Sequence, residues 1–253
     1  MSKVKALIKK YWLTVCIFVG LVALYFYMTE SGRANSYLFP SADSIGEAFA
    51  ENRGLMFVNM VASFKLMLPS ILISLLIALG LGTLLGMNTW LRDALHPVIY
   101  MFSVIPSILL SPFALLLAPN FWSASIFLIV YGTVWATLFA TITGIMTIDK
   151  RYLDKADTLE LHGIKRLVRV ILPAASPSIL AGFVNSLRST FVMLVYAEMY
   201  GAQYGMGYYV KKYAEFGLYN KTWCGFIFMV IVLVIVMQFF EMLKKYLLKW
   251  TMD

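Results

Sequence analysis

Three charged side chains, Lys65, Arg188 and Glu198, lie inside long apolar runs. A charge at the centre of a bilayer costs about 2.5–3.5 kcal/mol on insertion scales, so each needs a reason. Lys65 stands near the outer end of the second apolar run and reads as a snorkelling side chain ahead of a cavity role. Arg188 stands mid-run, where it either lines a pathway and attracts an anion or pairs with a polar group between helices. Tyr196, Tyr200, Tyr204 and Tyr208 recur every fourth residue around Glu198. On a continued helix they share a face, read first as an interfacial aromatic belt and second as a gate or stacking surface. A different group of charges gathers in "DKADTLELHGIKRLVRVILPAASPSILAGF", residues 154–183. Asp154, Lys155, Asp157 and Glu160 surround Ala156 and Leu159, and Gly163, Leu167 and Val170 continue the helical spacing. The chain holds no G-x-x-x-x-G-K-[ST] phosphate loop, only His96 and His162, no H-E-x-x-H and no Ser/His/Asp set. It therefore reads as non-catalytic, with no metal and no nucleotide site of its own.

The elements that must hold these residues are membrane helices. Of the 253 residues, 61% are hydrophobic and 13% charged, and the mean hydropathy is +0.79. A soluble domain runs nearer half apolar and a quarter charged. The net charge of +8 fits basic cytoplasmic loops of a membrane protein better than nucleic acid, and no nucleic-acid partner is expected. Six runs are long enough to cross the hydrocarbon: Tyr11–Thr29, Val61–Met87, Pro97–Ala118, Ser123–Thr147, Pro177–Tyr200 and Trp223–Leu243. The first lacks a small-residue cleavage site and reads as a retained helix. Pro69, Pro106 and Pro112 fall inside spans, where neighbouring helices must re-satisfy the backbone. Cys16 and Cys224 stand alone and form no framework. The basic residues of 3–10, Arg92, 150–169 and 244–249 fall on one side, against Arg33, Arg53, Lys211, Lys212 and Lys221 on the other. The positive-inside rule then places both termini in the cytoplasm and makes 148–176 the longest cytoplasmic loop. The fold class is all-α, a polytopic bundle of six transmembrane helices forming one domain over residues 1–253.

Local signals refine the loops. In "LFPSADSIGEAF", Ser44 and Glu47 have capping-box spacing, which predicts a turn and then a short outer helix. Gly201, Gly205 and Gly207 predict the end of the fifth span and a re-entrant or surface loop. Gly163 ends one short helix and lets another leave at an angle, and Ser176-Pro177 reads as the N-cap and first turn of the fifth span. On spacing alone, 148–176 is either a rigid cytosolic knob or a hairpin lying on anionic lipid through Lys165, Arg166 and Arg169.

The 154–183 stretch resembles the EAA loop of permease subunits in bacterial ABC importers: Glu-Ala-Ala, three residues, Gly, nine residues, an aliphatic residue, any residue and Leu-Pro. Counting back from Leu172-Pro173 without gaps puts the family glutamate at Asp154, the second alanine at Ala156, the glycine at Glu160 and the aliphatic residue at Val170. Lys155 replaces an alanine and Glu160 replaces the glycine. The other alignment shortens the loop and gives Gly163 the glycine role. Further segments are similar to permeases of sulfonate, taurine, nitrate and thiamine-precursor importers: "YLFPSADSIGEAF", "ASFKLML" with Lys65 at an arginine place, "HPVIYMFSVIPSILLSPFALLL", and "VYAEMYGAQYGMGYYV" with Glu198, Gly205 and Gly207 in register.

The resemblance implies a type I ABC importer permease fold in the bacterial inner membrane. It implies partners: a second permease copy, two cytoplasmic ATPases that bind ATP and Mg, an extracytoplasmic solute-binding protein, and lipid. It implies that Asp154 and Glu160 offer charge to an ATPase, that Ala156 and Leu159 supply apolar contact, and that Gly163 or Glu160 makes the turn. Glu198 becomes structural or gate-forming rather than ligand-binding. The solute is then an organic anion such as a sulfonate, or a small heterocycle such as a thiamine precursor. A multispan membrane enzyme or assembly factor with a docking loop stands as the alternative, as does a secondary transporter, whose inverted repeat is not visible.

Overall fold

The computed structural model describes residues 2–33 and 35–251, with side chains from Trp12 to Trp250 apart from Ala34. Lys3, Lys5, Lys9 and Lys10, part of the basic bias, have side chains outside that range. Among the described residues every regular element is helical. They are α1 (Ser2–Glu30), α2 (Ala42–Met87), α3 (Thr89–Val104), a 3-10 turn (Ser107–Leu110) leading into α4 (Ser111–Leu117), and α5 (Phe121–Met146). Then follow α6 (Lys150–Thr158), α7 (Gly163–Arg166), a π turn (Leu167–Ile171), α8 (Leu172–Gly201), α9 (Met206–Glu215) and α10 (Tyr219–Leu247). Five helical stretches are long and apolar enough to span a bilayer, and α3 with α4 makes a sixth, bent by 81°.

Two predicted boundaries move. The second span does not start at Val61 after a separate outer helix, because α2 runs unbroken from Ala42. Its cap is Ser41, whose Oγ accepts the Ser44 N–H at 3.4 Å, and not the Ser44–Glu47 pair. Nothing between Glu47 and Val61 can stop a helix: Gly54 only weakens it, and Pro69 is absorbed inside the apolar half. The fifth span likewise does not begin at Ser176-Pro177. Helix is continuous from Gly163 to Gly201, and Ser176 Oγ donates to the Pro173 carbonyl at 2.8 Å. The prolines are accommodated by the π turn, where the Leu172 N–H reaches back to the Leu167 carbonyl. This wider turn sits where Pro173, lacking an N–H, would otherwise press on the carbonyl four residues earlier.

The chain divides into two compact units. The first comprises Met1–Met56 and Tyr209–Ile227. Here Tyr25 donates to the Pro40 carbonyl at 2.6 Å and Trp223 donates to the Leu38 carbonyl at 2.9 Å, their rings 5.9 Å apart. The end of α1 therefore meets the segment leading into α2. The apolar side chains of α1 from Trp12 to Val22 are exposed, as a lipid-facing helix requires.

The second unit comprises Phe57–Tyr208 and Phe228–Asp253. Its axis is α5 against α8, packed through small residues. A Cβ on Gly144 would lie 2.8 Å from Ser178 Cβ, and one on Gly182 would lie 2.8 Å from the Ala136 carbonyl. Thr133 bonds Thr190 at 3.0 Å and Thr137 donates to Ser186 at 3.2 Å. In lipid there is little hydrophobic gain in joining helices, so close backbone approach and hydroxyl pairs do that work. α2 packs alongside: a Cβ on Gly82 would fall 2.7 Å from Thr141 Cβ, and one on Gly86 2.9 Å from Ile145 Cβ. The C-terminal ends of α2 and α5 thus lie together. The chain must return between them, and α3 with α4 is that return. Leu91 and Ile99 of α3 pack beside Leu85, Leu138 and Ile142, whereas Ala114 of α4 packs beside Ala124 and Leu128 at the start of α5. The bent pair therefore runs as one span, the sixth among the described residues.

Candidate functional site

The loop after α5 is a capped, stapled knob. Asp149 caps α6, accepting the Arg151 N–H at 2.9 Å. The Arg151 side chain bonds the same carboxyl at 2.6 and 3.0 Å and holds it below the usual carboxylate range. α6 ends at Thr158 in a Schellman motif. The Leu161 N–H bonds the Ala156 carbonyl at 2.9 Å and the Glu160 N–H bonds the Asp157 carbonyl at 3.0 Å. Glu160 has φ +51°, the left-handed position that glycine ordinarily fills. That geometry matches the gapless register. Gly163, at φ +57°, does not end α6 but opens α7. His162 Nδ1 lies 2.8 Å from the Glu160 carbonyl, and since a carbonyl only accepts, Nδ1 carries the proton. Arg166 then ties α7 back to α6 through both oxygens of Asp157, at 2.6 and 3.4 Å.

Exposure sorts the five predicted loop residues. Asp154 and Glu160 are exposed, and Leu159 is 60% exposed. Ala156, expected to supply outward apolar contact, is 1% exposed. α6 packs against the π turn 167–171, and Ala156 lies inside the knob rather than on its surface. A cleft of about 290 Å³ runs beside it, lined by Leu159, Leu161, Arg169, Pro173 and the C-terminal Trp250 among others. Sequence reading missed the Asp157–Arg166 staple, because nine residues separate the partners and only the turn brings them together.

Arg188 is exposed at the middle of α8 and lines a groove of about 470 Å³ with Ser103, Ser107, Trp135, Ser189 and Met193. Among the described residues it has no ion-pair partner. The groove lies at the break between α3 and α4, where Ile105 and Pro106 are non-helical.

Tyr196 is half-buried, its hydroxyl 3.0 Å from Ser111 Oγ and its ring 4.6 Å from that of Tyr200. The stripe stops there, because α8 ends at Gly201 and Tyr208 belongs to α9. Glu198 is 2% exposed and serves as one of three caps. Its Oε2 accepts the Gly207 N–H at 2.8 Å, Asn59 Oδ1 accepts the Gly205 N–H at 2.8 Å, and Ser63 Oγ accepts the Met206 N–H at 2.9 Å. Three consecutive donors entering α9 are thus satisfied by side chains of α2 and α8, which pins the segment in place. A Cβ on Gly205, at φ +129°, would strike the Glu198 carboxyl, and one on Gly207 would lie 2.8 Å from the Val195 carbonyl. The predicted surface loop is accordingly short and clamped. Asn59 and Ser63 went unassigned in sequence, though they belong to a buried polar series on α2 (Asn52, Asn59, Ser63, Ser70 and Ser74) whose alternating spacings of seven and four betray a face. Lys65 is exposed but not near a helix end, since α2 extends well before it.

A family profile described as "Binding-protein-dependent transport system inner membrane component" matches residues 70–252. The chain belongs to this family. It is accordingly a multi-pass inner membrane protein of the ABC transporter permease family. Relatives agree. A Bacillus subtilis protein named as an aliphatic sulfonates transport permease, SsuC, is 30% identical over 69% of this chain and 63% of its own length. The nitrate import permease NrtB of Leptolyngbya laminosa is 25% identical over 61% of this chain and 56% of its own. The bicarbonate transport system permease CmpB of Synechococcus elongatus is 28% identical over 72% of this chain and 64% of its own. The chain thus spans a little under two thirds of the length of the first relatives it matches. In fold it is similar to a chain of the MetNI methionine ABC transporter, with TM-score 0.63 and 16% identity over 77% of this chain and 97% of that one. No group of three or more His, Cys, Asp or Glu suited to a metal occurs among the described residues of this permease.

Proposed function

We propose that this permease forms the solute pathway of an ATP-driven importer of small anions, and that residues 148–176 are its coupling loop. The observation that carries the reading is the stapled knob with Leu159 facing outward. A short helix capped at both ends and tied to α7 moves as one body, because repacking it costs more than displacing it. Leu159 is the apolar contact for an ATPase groove, with Asp154 and Glu160 as flanking charges. Two ATPase subunits holding ATP and Mg then supply the force, a second permease copy completes the pathway, and a binding protein outside delivers the solute. Tyr196, Tyr200 and the Glu198 clamp form the outer gate, with Lys65 on the α2 surface nearby. The chain acts as one transmembrane domain with both termini in the cytoplasm. Names of the relatives (sulfonates, nitrate, bicarbonate) favour an anion over a thiamine precursor.

The test is Leu159→Arg. Loss of an anchoring contact of about 2 kcal/mol lowers docking roughly 30-fold. ATPase subunits that co-purify with the wild-type permease should be lost and uptake should fall in step, while detergent elution of the variant stays unchanged. Normal co-purification with normal uptake overturns the reading.

A further inference from the structure

We infer that the groove at Arg188 is a binding site for a small organic anion with a compact oxyanion head and a short apolar tail. The inference rests on the anion-importer reading and names the site within this chain. A guanidinium halfway along α8 needs a counter-charge at membrane depth. The chain provides none among the described residues, and no acidic side chain lines the groove. A solute can be that counter-charge. The break between α3 and α4 points the same way: irregular backbone at membrane depth is tolerated where it is buried in protein or lines a wet cavity, and Ile105 and Pro106 border this one.

The remaining walls divide by chemistry. Ser107 and Ser189 stand with Arg188 as hydroxyl donors to an oxyanion, and the planar fork of an arginine suits two oxygens at once. Trp135, Val192 and Met193 form the apolar part, against which a short alkyl chain would pack. The volume, about 470 Å³, is in the range of small-ligand sites.

The experiment has two arms. In the first, purified full-length permease is titrated with 1-butanesulfonate while tryptophan fluorescence is followed, with 1-butanol as the neutral control. Saturable quenching by the sulfonate alone is expected. Arg188→Gln should weaken it at least tenfold, Arg188→Glu should abolish it, and Arg188→Lys should retain part of it, each variant first shown to elute as the wild type does. Equal titrations for wild type and Arg188→Gln overturn the site, as does absence of any saturable response. The second arm follows uptake of labelled sulfonate, nitrate and bicarbonate in cells carrying the whole transporter. Anion uptake that survives Arg188→Gln at full rate overturns the site but leaves the anion-importer reading standing. Wild-type cells that import none of the three anions overturn that reading, and the site with it.

Discussion

At the scale of single residues, backbone conformation says more than side-chain identity. Glu160 occupies a left-handed position at the end of α6, held there by two backbone bonds of the Schellman motif. A non-glycine residue in that region costs about 1–2 kcal/mol, partly offset by the extra freedom glycine has when unfolded. Glu160→Gly should therefore stabilise the turn by about 1 kcal/mol, slowing hydrogen exchange at the Leu161 amide roughly fivefold. Faster exchange would mean that the Glu160 side chain, not the backbone, holds the turn. The resemblance pointed to this position before any coordinates, since the gapless count from Leu172-Pro173 sets Glu160 at the family's glycine, while the shortened alignment set Gly163 there. The clamp on α9 was half legible. Glu198, Gly205 and Gly207 stood out as a pattern, but Asn59 and Ser63 lie more than 140 positions away in sequence, and nothing local reveals that they cap the same three amides.

At the scale of elements, the glycines separate into those that pack and those that do not. Gly182 of α8 lies against Ala140 and the Ala136 carbonyl of α5, whereas Gly46 of α2 has no atom within 4 Å of an added Cβ. Gly182→Ala forces the central helix pair apart, and overpacking of this kind costs roughly 1–3 kcal/mol. Gly46→Ala adds a better helix former in open space and gains up to about 1 kcal/mol. Thermal unfolding midpoints in detergent should move in opposite directions for the two variants, and a shared direction would mean that close α5–α8 approach does not limit stability. The spans themselves were readable from apolar length, because lipid demands it. Their ends were not. Ser176-Pro177 and Ser44–Glu47 both carry helix-start chemistry, yet each lies inside a longer helix, since capping signals are weak beside the packing of an entire apolar stretch. Ala156 illustrates the same limit: helical spacing puts it on a face but cannot say whether that face looks inward.

At the scale of the whole molecule, the number of crossings fixes which side the knob occupies. Gly82 and Gly86 bring the end of α2 to the end of α5, so the bent α3–α4 segment must carry the chain back across. Had it been a re-entrant dip, five crossings would remain and the termini would lie on opposite faces. With six, both termini share a face with the knob, and the basic residues of 150–169 join Lys244, Lys245 and Lys249 there. The positive-inside rule makes that face cytoplasmic. Cysteine labelling can decide the matter. In a Cys16→Ser background, which removes the exposed native thiol and leaves buried Cys224, Thr158→Cys on the knob and Phe216→Cys beyond α9 both present exposed positions. A membrane-impermeant maleimide should label Phe216→Cys in intact cells and Thr158→Cys only after permeabilisation. The inverse pattern would put the knob beyond the reach of any cytoplasmic ATPase, and the stapled geometry of Asp157 and Arg166 would need a different partner. Labelling of both sites in intact cells would mean that α8, the span between them, does not cross.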